Sequence, residues 1–187
     1  MLFTGNRQLD KAVSQSELVS KALEKTFEVI LEALGATRDL DSNDAMAQCL
    51  NSISDCKSKM DDVSTSLADI KSRQPKALFT HKSYELLQED DDDNPFSRVN
   101  DRNIRRAVEH SNAVYEKAKL LYELVLGSLG SIEDRDDTER LYQTLKTTEE
   151  CRDKLSQVYN TLNSINQRLA QIELEVLYAP PPFFSEE

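Results

Sequence analysis

Apolar residues recur at alternating steps of three and four through four long stretches of the chain. The clearest stretch lies near the C-terminal end: Leu155, Val158, Leu162, Ile165, Leu169, Ile172 and Val176 follow one another without a break in the alternation. Such steps keep side chains on one face of an α-helix and form the seam of a heptad repeat. The same face extends back through Leu141, Leu145 and Cys151. Polar residues such as Lys154, Asn163, Gln167, Arg168 and Glu173 occupy the other faces. The pattern predicts one helix over about 132–177. At the α-helical rise it reaches roughly 60 Å, against roughly 40 Å for each of the other three, so it overhangs them by roughly 20 Å.

Three earlier stretches repeat the pattern. The first, about 7–34, carries Leu9, Val13, Ser16, Ser20, Leu23, Phe27, Ile30 and Leu34, with Asn6 placed to cap it and Gly35 to end it. Its seam is polar at Ser16 and Ser20, which predicts an N-terminal half that frays or waits for a partner. A polar loop over about 36–42 leads to the second helix, about 43–72, with Met46, Leu50, Ile53, Cys56, Met60, Val63, Leu67 and Ile70. The third, about 101–129, carries Ile104, Val108, Ser111, Tyr115, Ala118, Tyr122, Val125 and Leu129. Leu120, Leu121 and Leu124 widen its apolar face, as expected of a helix packed on two neighbours. Gly130 ends it, and Ser131, Glu133 and Asp134 suit the positive start of the last helix. Two seams contain consecutive three-residue steps, at 50–53–56 and 145–148–151, a local overwinding of the repeat. Each puts a cysteine on the seam, read as a small side chain fitted where the supercoil changes.

Between the second and third helices the pattern breaks. Pro75 and Pro95 bound a region holding Leu78, Phe79, Tyr84, Leu86 and Leu87, enough for a short helix or docking turn. Glu89 and Asp90 to Asp93 repel one another, which predicts a flexible acidic loop over about 88–97 acting as a spacer. The tail over 178–187 contains Pro180, Pro181 and Pro182, which favour an extended polyproline form, beside Phe183 and Phe184. The expected fold class is all-α: one elongated domain over 1–187, a helical bundle or coiled coil of four main helices with an acidic loop between the second and third.

Composition narrows the function. Four Gly, no Trp and 6% aromatic residues argue against a sheet sandwich. A net charge of −11 argues against direct nucleic-acid binding, which needs clustered Lys and Arg, and against docking on an anionic membrane. No apolar run reaches the roughly 18 residues of a membrane helix, and Met1 to Gly5 do not open a signal peptide. Three Cys and the lack of an Asn-x-Ser/Thr site suit a reduced intracellular setting, cytoplasmic or cytoskeletal, with the nucleus as the alternative.

Catalytic and metal signatures are missing. His81 and His110 lie far apart without Cys or carboxylate at ligand spacing, and the Asp run lacks the Gly and closing Glu of a calcium loop. No cofactor, metal or small-molecule substrate is expected, and the chain reads as a non-enzymatic structural subunit. Arg98, Arg102, Arg105 and Arg106 form the basic cluster, expected to pair with the acidic loop. Leu155, Leu162, Leu169, Ile172 and Val176 are the expected partner-facing seam, with Phe183 and Phe184 as a secondary anchor.

One stretch carries a family resemblance. Cys151, Tyr159-Asn160 and the run from Arg168 to Leu177 resemble the C-terminal helix of the dynactin subunit 3 family, the small shoulder subunits of dynactin. The likeness covers about 20 residues, and the family's terminal Trp falls at Ile172 here. It implies a non-enzymatic shoulder component of a microtubule-motor adaptor, its helices packed with those of dynamitin and the large subunit. Kinetochore subunits of the Mis12 type, also short acidic helical chains, are the alternative, and a self-contained module like a syntaxin N-terminal bundle is a third.

Overall fold

The computed structural model describes residues 2–74 and 100–178, with side chains described over 7–74 and 103–172. Four α-helices account for nearly all of it: α1 (Leu2–Ala36), α2 (Leu40–Arg73), α3 (Asn100–Ser128) and α4 (Arg135–Tyr178). A single 3-10 turn, Leu129–Ser131, separates α3 from α4, and no strand occurs among the described residues. The protein is an all-α bundle of four packed helices. The acidic loop expected at 88–97, the tail beyond Tyr178, and the residues His81, Arg98, Phe183 and Phe184 lie outside the described residues. So do the side chains of Arg102 and Val176.

The helix ends follow local chemistry. The loop expected over 36–42 shrinks to Thr37–Asp39, because α2 starts earlier. Asp39 is extended (φ −76°, ψ 115°), its carbonyl accepts the Asn43 amide at 2.9 Å, and its carboxylate accepts the Ser42 hydroxyl at 2.6 Å. These bonds fix the first turn of α2 three residues ahead of the expected start. At the other end Gln74 is again extended (φ −80°, ψ 150°). Pro75 follows it in the sequence, and a proline ring disfavours helical geometry in the preceding residue. α4 starts at Arg135 rather than 132, with Asp136 and Asp137 in its first turn at the positive end of the helix.

Each helix touches two neighbours. α1 packs on α2 and α3, and α4 packs on α2 and α3; among the described residues the diagonal pairs make no close approach. Ties along the interfaces give the directions. Asp10 of α1 meets Lys71 near the end of α2 (3.3 Å), and Glu32 near the end of α1 meets Arg106 near the start of α3 (3.6 Å). Asp39 before α2 meets Arg168 far along α4 (3.3 Å), and Arg73 at the end of α2 meets Asp137 at the start of α4 (3.0 Å). All four contacting pairs are therefore antiparallel. α1 and α4 run one way and α2 and α3 the other. α2 ends at the pole where α4 begins, and α3 begins at the opposite pole.

The expected seams become the core. Every seam residue predicted for α2 is buried, and so is the α4 seam from Leu141 through Ile165. α1 adds a second buried stripe, Ala12, Val19, Thr26 and Ala33, on the side facing α3. Small side chains there let the backbones approach: Gln15 donates to the Lys117 carbonyl at 3.0 Å and Thr26 to the His110 carbonyl at 3.5 Å. α3 buries a broader face than the expected seam alone. Of the expected seam, Ile104, Ser111, Ala118 and Val125 are buried, and Val108, Tyr115, Tyr122 and Leu129 are half-buried; Ala107, Val114, Leu121 and Ser128 form a second buried stripe beside it. Leu120, expected to widen the apolar face, is exposed.

The polar centre of α1 has partners inside the chain. Ser16 is fully buried, donates to the Val13 carbonyl at 2.6 Å and lies 2.9 Å from the Ser64 hydroxyl of α2. Ser20 donates to Asp61 at 2.7 Å. The expectation that this half frays or waits for another protein gives way to a polar zipper with α2. Among the described residues Arg106 pairs with Glu32 of α1; the acidic loop it was expected to meet lies outside them.

Candidate functional site

Two regions of α4 stand apart from ordinary bundle packing: its far end and its middle. At the far end, Ile165 is the last fully buried seam residue. Arg168 then reaches the carboxylates of Asp39 (3.3 Å) and Asp41 (3.6 Å) at the start of α2. Among the described residues this is the last tie between α4 and a neighbour. Leu169 packs half-buried against the core, Ala170 and Gln171 are exposed, and Ile172 is 40% exposed. The helix continues to Tyr178, ten residues past Arg168, or roughly 15 Å at the helical rise. The side chains from 173 onward lie outside the described residues.

The same pole carries other exposed apolar groups. Leu40, between the two aspartates that hold Arg168, is 78% exposed, and Leu31 in the last turns of α1 is exposed as well. Isolated apolar side chains at a surface need no explanation, but a heptad-seam isoleucine exposed at a pole that also exposes leucines marks a candidate contact surface.

The expected partner-facing set divides accordingly. Leu155 and Leu162 are fully buried in this chain's own core, so their heptad positions are filled from within. Leu169 and Ile172 sit where the bundle ends. Exposed Leu31 and Leu40 were not singled out from the sequence; the first lies off the heptad seam and the second in the stretch read as a loop.

The middle of α4 holds the second feature. The two overwound steps lie opposite each other, with Cys56 of α2 against Cys151 of α4. Both thiols are fully buried and unpaired by any disulfide. Each Sγ lies 3.9 Å from the other residue's carbonyl oxygen. Above them, Asp55 pairs with Lys154 and, at 3.3 Å, with Lys59, which in turn meets Glu150 at 3.5 Å. The Lys154 ammonium beside Asp55 holds its carboxyl below the ordinary 3.8, and the Asp55 carboxylate holds Lys59 above the ordinary 10.5. Burial pushes the third thiol, Cys49, up to about 11.

A shallow groove of about 360 Å³ runs between α2 and α4, lined by Lys59, Asp62, Val63, Arg140 and Thr144 among others. Its two cations are engaged elsewhere: Lys59 as above, and Arg140 with Asp69 at 2.5 Å. Among the described residues no three His, Cys, Asp or Glu side chains converge to hold a metal ion. His110, on α3, accepts through its carbonyl from Thr26. No described helix is long and apolar enough to cross a membrane. No family model matches the chain, and no curated protein or solved structure matches it either.

Proposed function

We propose that this chain is a non-enzymatic structural subunit that joins its helices to those of a larger assembly, with the dynactin shoulder as the first candidate. One observation carries the reading: α4 continues past Arg168 to Tyr178, and Ile172 of its seam is exposed at the pole where Arg168 meets Asp39 and Asp41 and where Leu40 is exposed. A seam of alternating three and four is completed best by another helix with the same repeat, because knobs of one fit holes of the other. The aspartates around Leu40 and the chain's charge of −11 favour a partner helix flanked by Lys and Arg. The resemblance of the 168–177 run to the small shoulder subunits supplies the candidate assembly.

The test is recovery of the tagged full chain from its own cells, with co-purifying proteins identified by mass spectrometry. Dynactin subunits in fixed ratio, lost when Leu169 and Ile172 are both changed to Asp, would support the reading. Centromere proteins instead would move the assignment to the kinetochore alternative. A monodisperse chain recovered alone would overturn both.

A second reading rests on a different observation. The seams of all four helices close on one another through Ile165, with the polar positions of α1 satisfied inside the chain. That closure suits a self-contained binding module of the kind that presents a surface groove. Analytical ultracentrifugation separates the two: a module stays monomeric and folded, whereas an assembly subunit is recovered in complexes.

A further inference from the structure

We propose that Cys56 and Cys151 are a disulfide-forming pair, a covalent latch between the midpoints of α2 and α4. The reciprocal contacts carry this assignment. Each Sγ lies 3.9 Å from the carbonyl oxygen of the opposite residue, so each side chain rests against the other's main chain. A disulfide needs close Cβ atoms pointing toward each other, and most pairs of seam residues on packed helices are held apart by their own bulk. Here the overwound steps at 50–53–56 and 145–148–151 bring the two smallest seam residues of their helices to one level. The third cysteine, Cys49, stands two turns away on α2 and makes no such contact with either.

The chemistry balances with a small-molecule disulfide, such as oxidised glutathione, as the oxidant. One protein thiolate attacks a sulfur of the oxidant and displaces the first glutathione thiolate. The second protein thiol, after losing its proton, attacks the protein-bound sulfur and displaces the other. One protein S–S bond forms, one oxidant S–S bond breaks, and two electrons and two protons end on the two glutathione thiols. Either thiol can serve as the first nucleophile, since each lies at the same distance from the other residue's main chain. Both thiols are fully buried beneath the Asp55, Lys59, Glu150 and Lys154 ion pairs. The oxidant therefore enters only when α2 and α4 part, and the rate of latching follows that opening.

The experiment treats the full chain with oxidised glutathione, then counts free thiols and maps linked peptides by mass spectrometry. The expected result is loss of two thiols, a peptide linking positions 56 and 151, a free Cys49 and a higher thermal midpoint that returns to its starting value on reduction. C49A should latch like the parent, while C56A and C151A should not. The same mapping is done after refolding from denaturant in the same redox buffer, so that slow entry of oxidant cannot hide the bond. A folded chain that keeps both thiols free in both experiments, carries separate glutathione adducts, or links through Cys49 would overturn the assignment.

Discussion

Ser16 and Ser64 face each other where a heptad argument alone would ask for leucine. Ser16 has no exposed surface and its hydroxyl is 2.9 Å from that of Ser64, so there is no room for a larger side chain. Ser16→Leu is expected to lower stability by about 1–3 kcal/mol through overpacking, as read by urea unfolding. The opposite holds at the seam leucines. Leu155→Ala and Leu162→Ala, both fully buried, should each cost about 2–5 kcal/mol, whereas Ile172→Ala should stay within about 0.5 kcal/mol. The ion pairs give a pH signature. Lys154, Lys57 and Arg140 hold Asp55, Asp61 and Asp69 respectively below the ordinary 3.8. Depressed carboxyls stabilise the fold fully above that value, and this stabilisation is lost as pH falls below it. Lys57 and Lys59, raised above 10.5 by Asp61 and Asp55, contribute fully at neutral pH and lose that contribution as pH rises past it. A thermal midpoint that is flat between about pH 5 and pH 9, and falls on both sides, is the expected profile. These pairs are largely solvated, so added salt should flatten the two slopes.

At the scale of single helices, the sequence made some faces legible and hid others. The α2 seam is buried residue for residue because its apolar side chains alternate cleanly with polar ones. The α3 seam was legible by half, in Ile104, Ser111, Ala118 and Val125; the second buried stripe was hidden because Ala107 and Ser128, at its two ends, are small residues that hydropathy hardly marks. Tyr115 and Tyr122 attracted the reading, yet their hydroxyls favour the edge of the interface, where Tyr122 stacks 4.5 Å from the Arg152 guanidinium. The candidate surface on α4 was legible as a seam, but not where the bundle stops using it. That limit depends on Arg168 reaching Asp39 and Asp41, a contact between residues far apart in the chain. It changes the useful test. Leu162→Asp would put a charge into the core and unfold the bundle. Leu169→Asp with Ile172→Asp should keep the helical circular dichroism signal and remove partner capture; loss of helicity on that change would mean the end of α4 is part of the core.

Across the whole molecule, the directions of the helices divide the bundle into two antiparallel hairpins, α1–α2 and α3–α4, joined through residues 75–99. Each hairpin buries one seam within itself and offers another to its partner hairpin, through α1·α3 and α2·α4. Co-expressed fragments 1–74 and 100–187 are therefore expected to assemble into a folded complex, checked by co-elution and a shared thermal transition; fragments that stay apart would assign a larger role to the connection. The same division sets a sequence of events in time. Contacts within a hairpin close short loops and form fast, whereas those between hairpins join residues as distant as Gln15 and Lys117, 102 positions apart. Hairpin formation is therefore expected to precede docking, with docking as the slow step. Weakening the α1·α3 contact should slow refolding, while weakening a hairpin's outer end should mainly quicken unfolding.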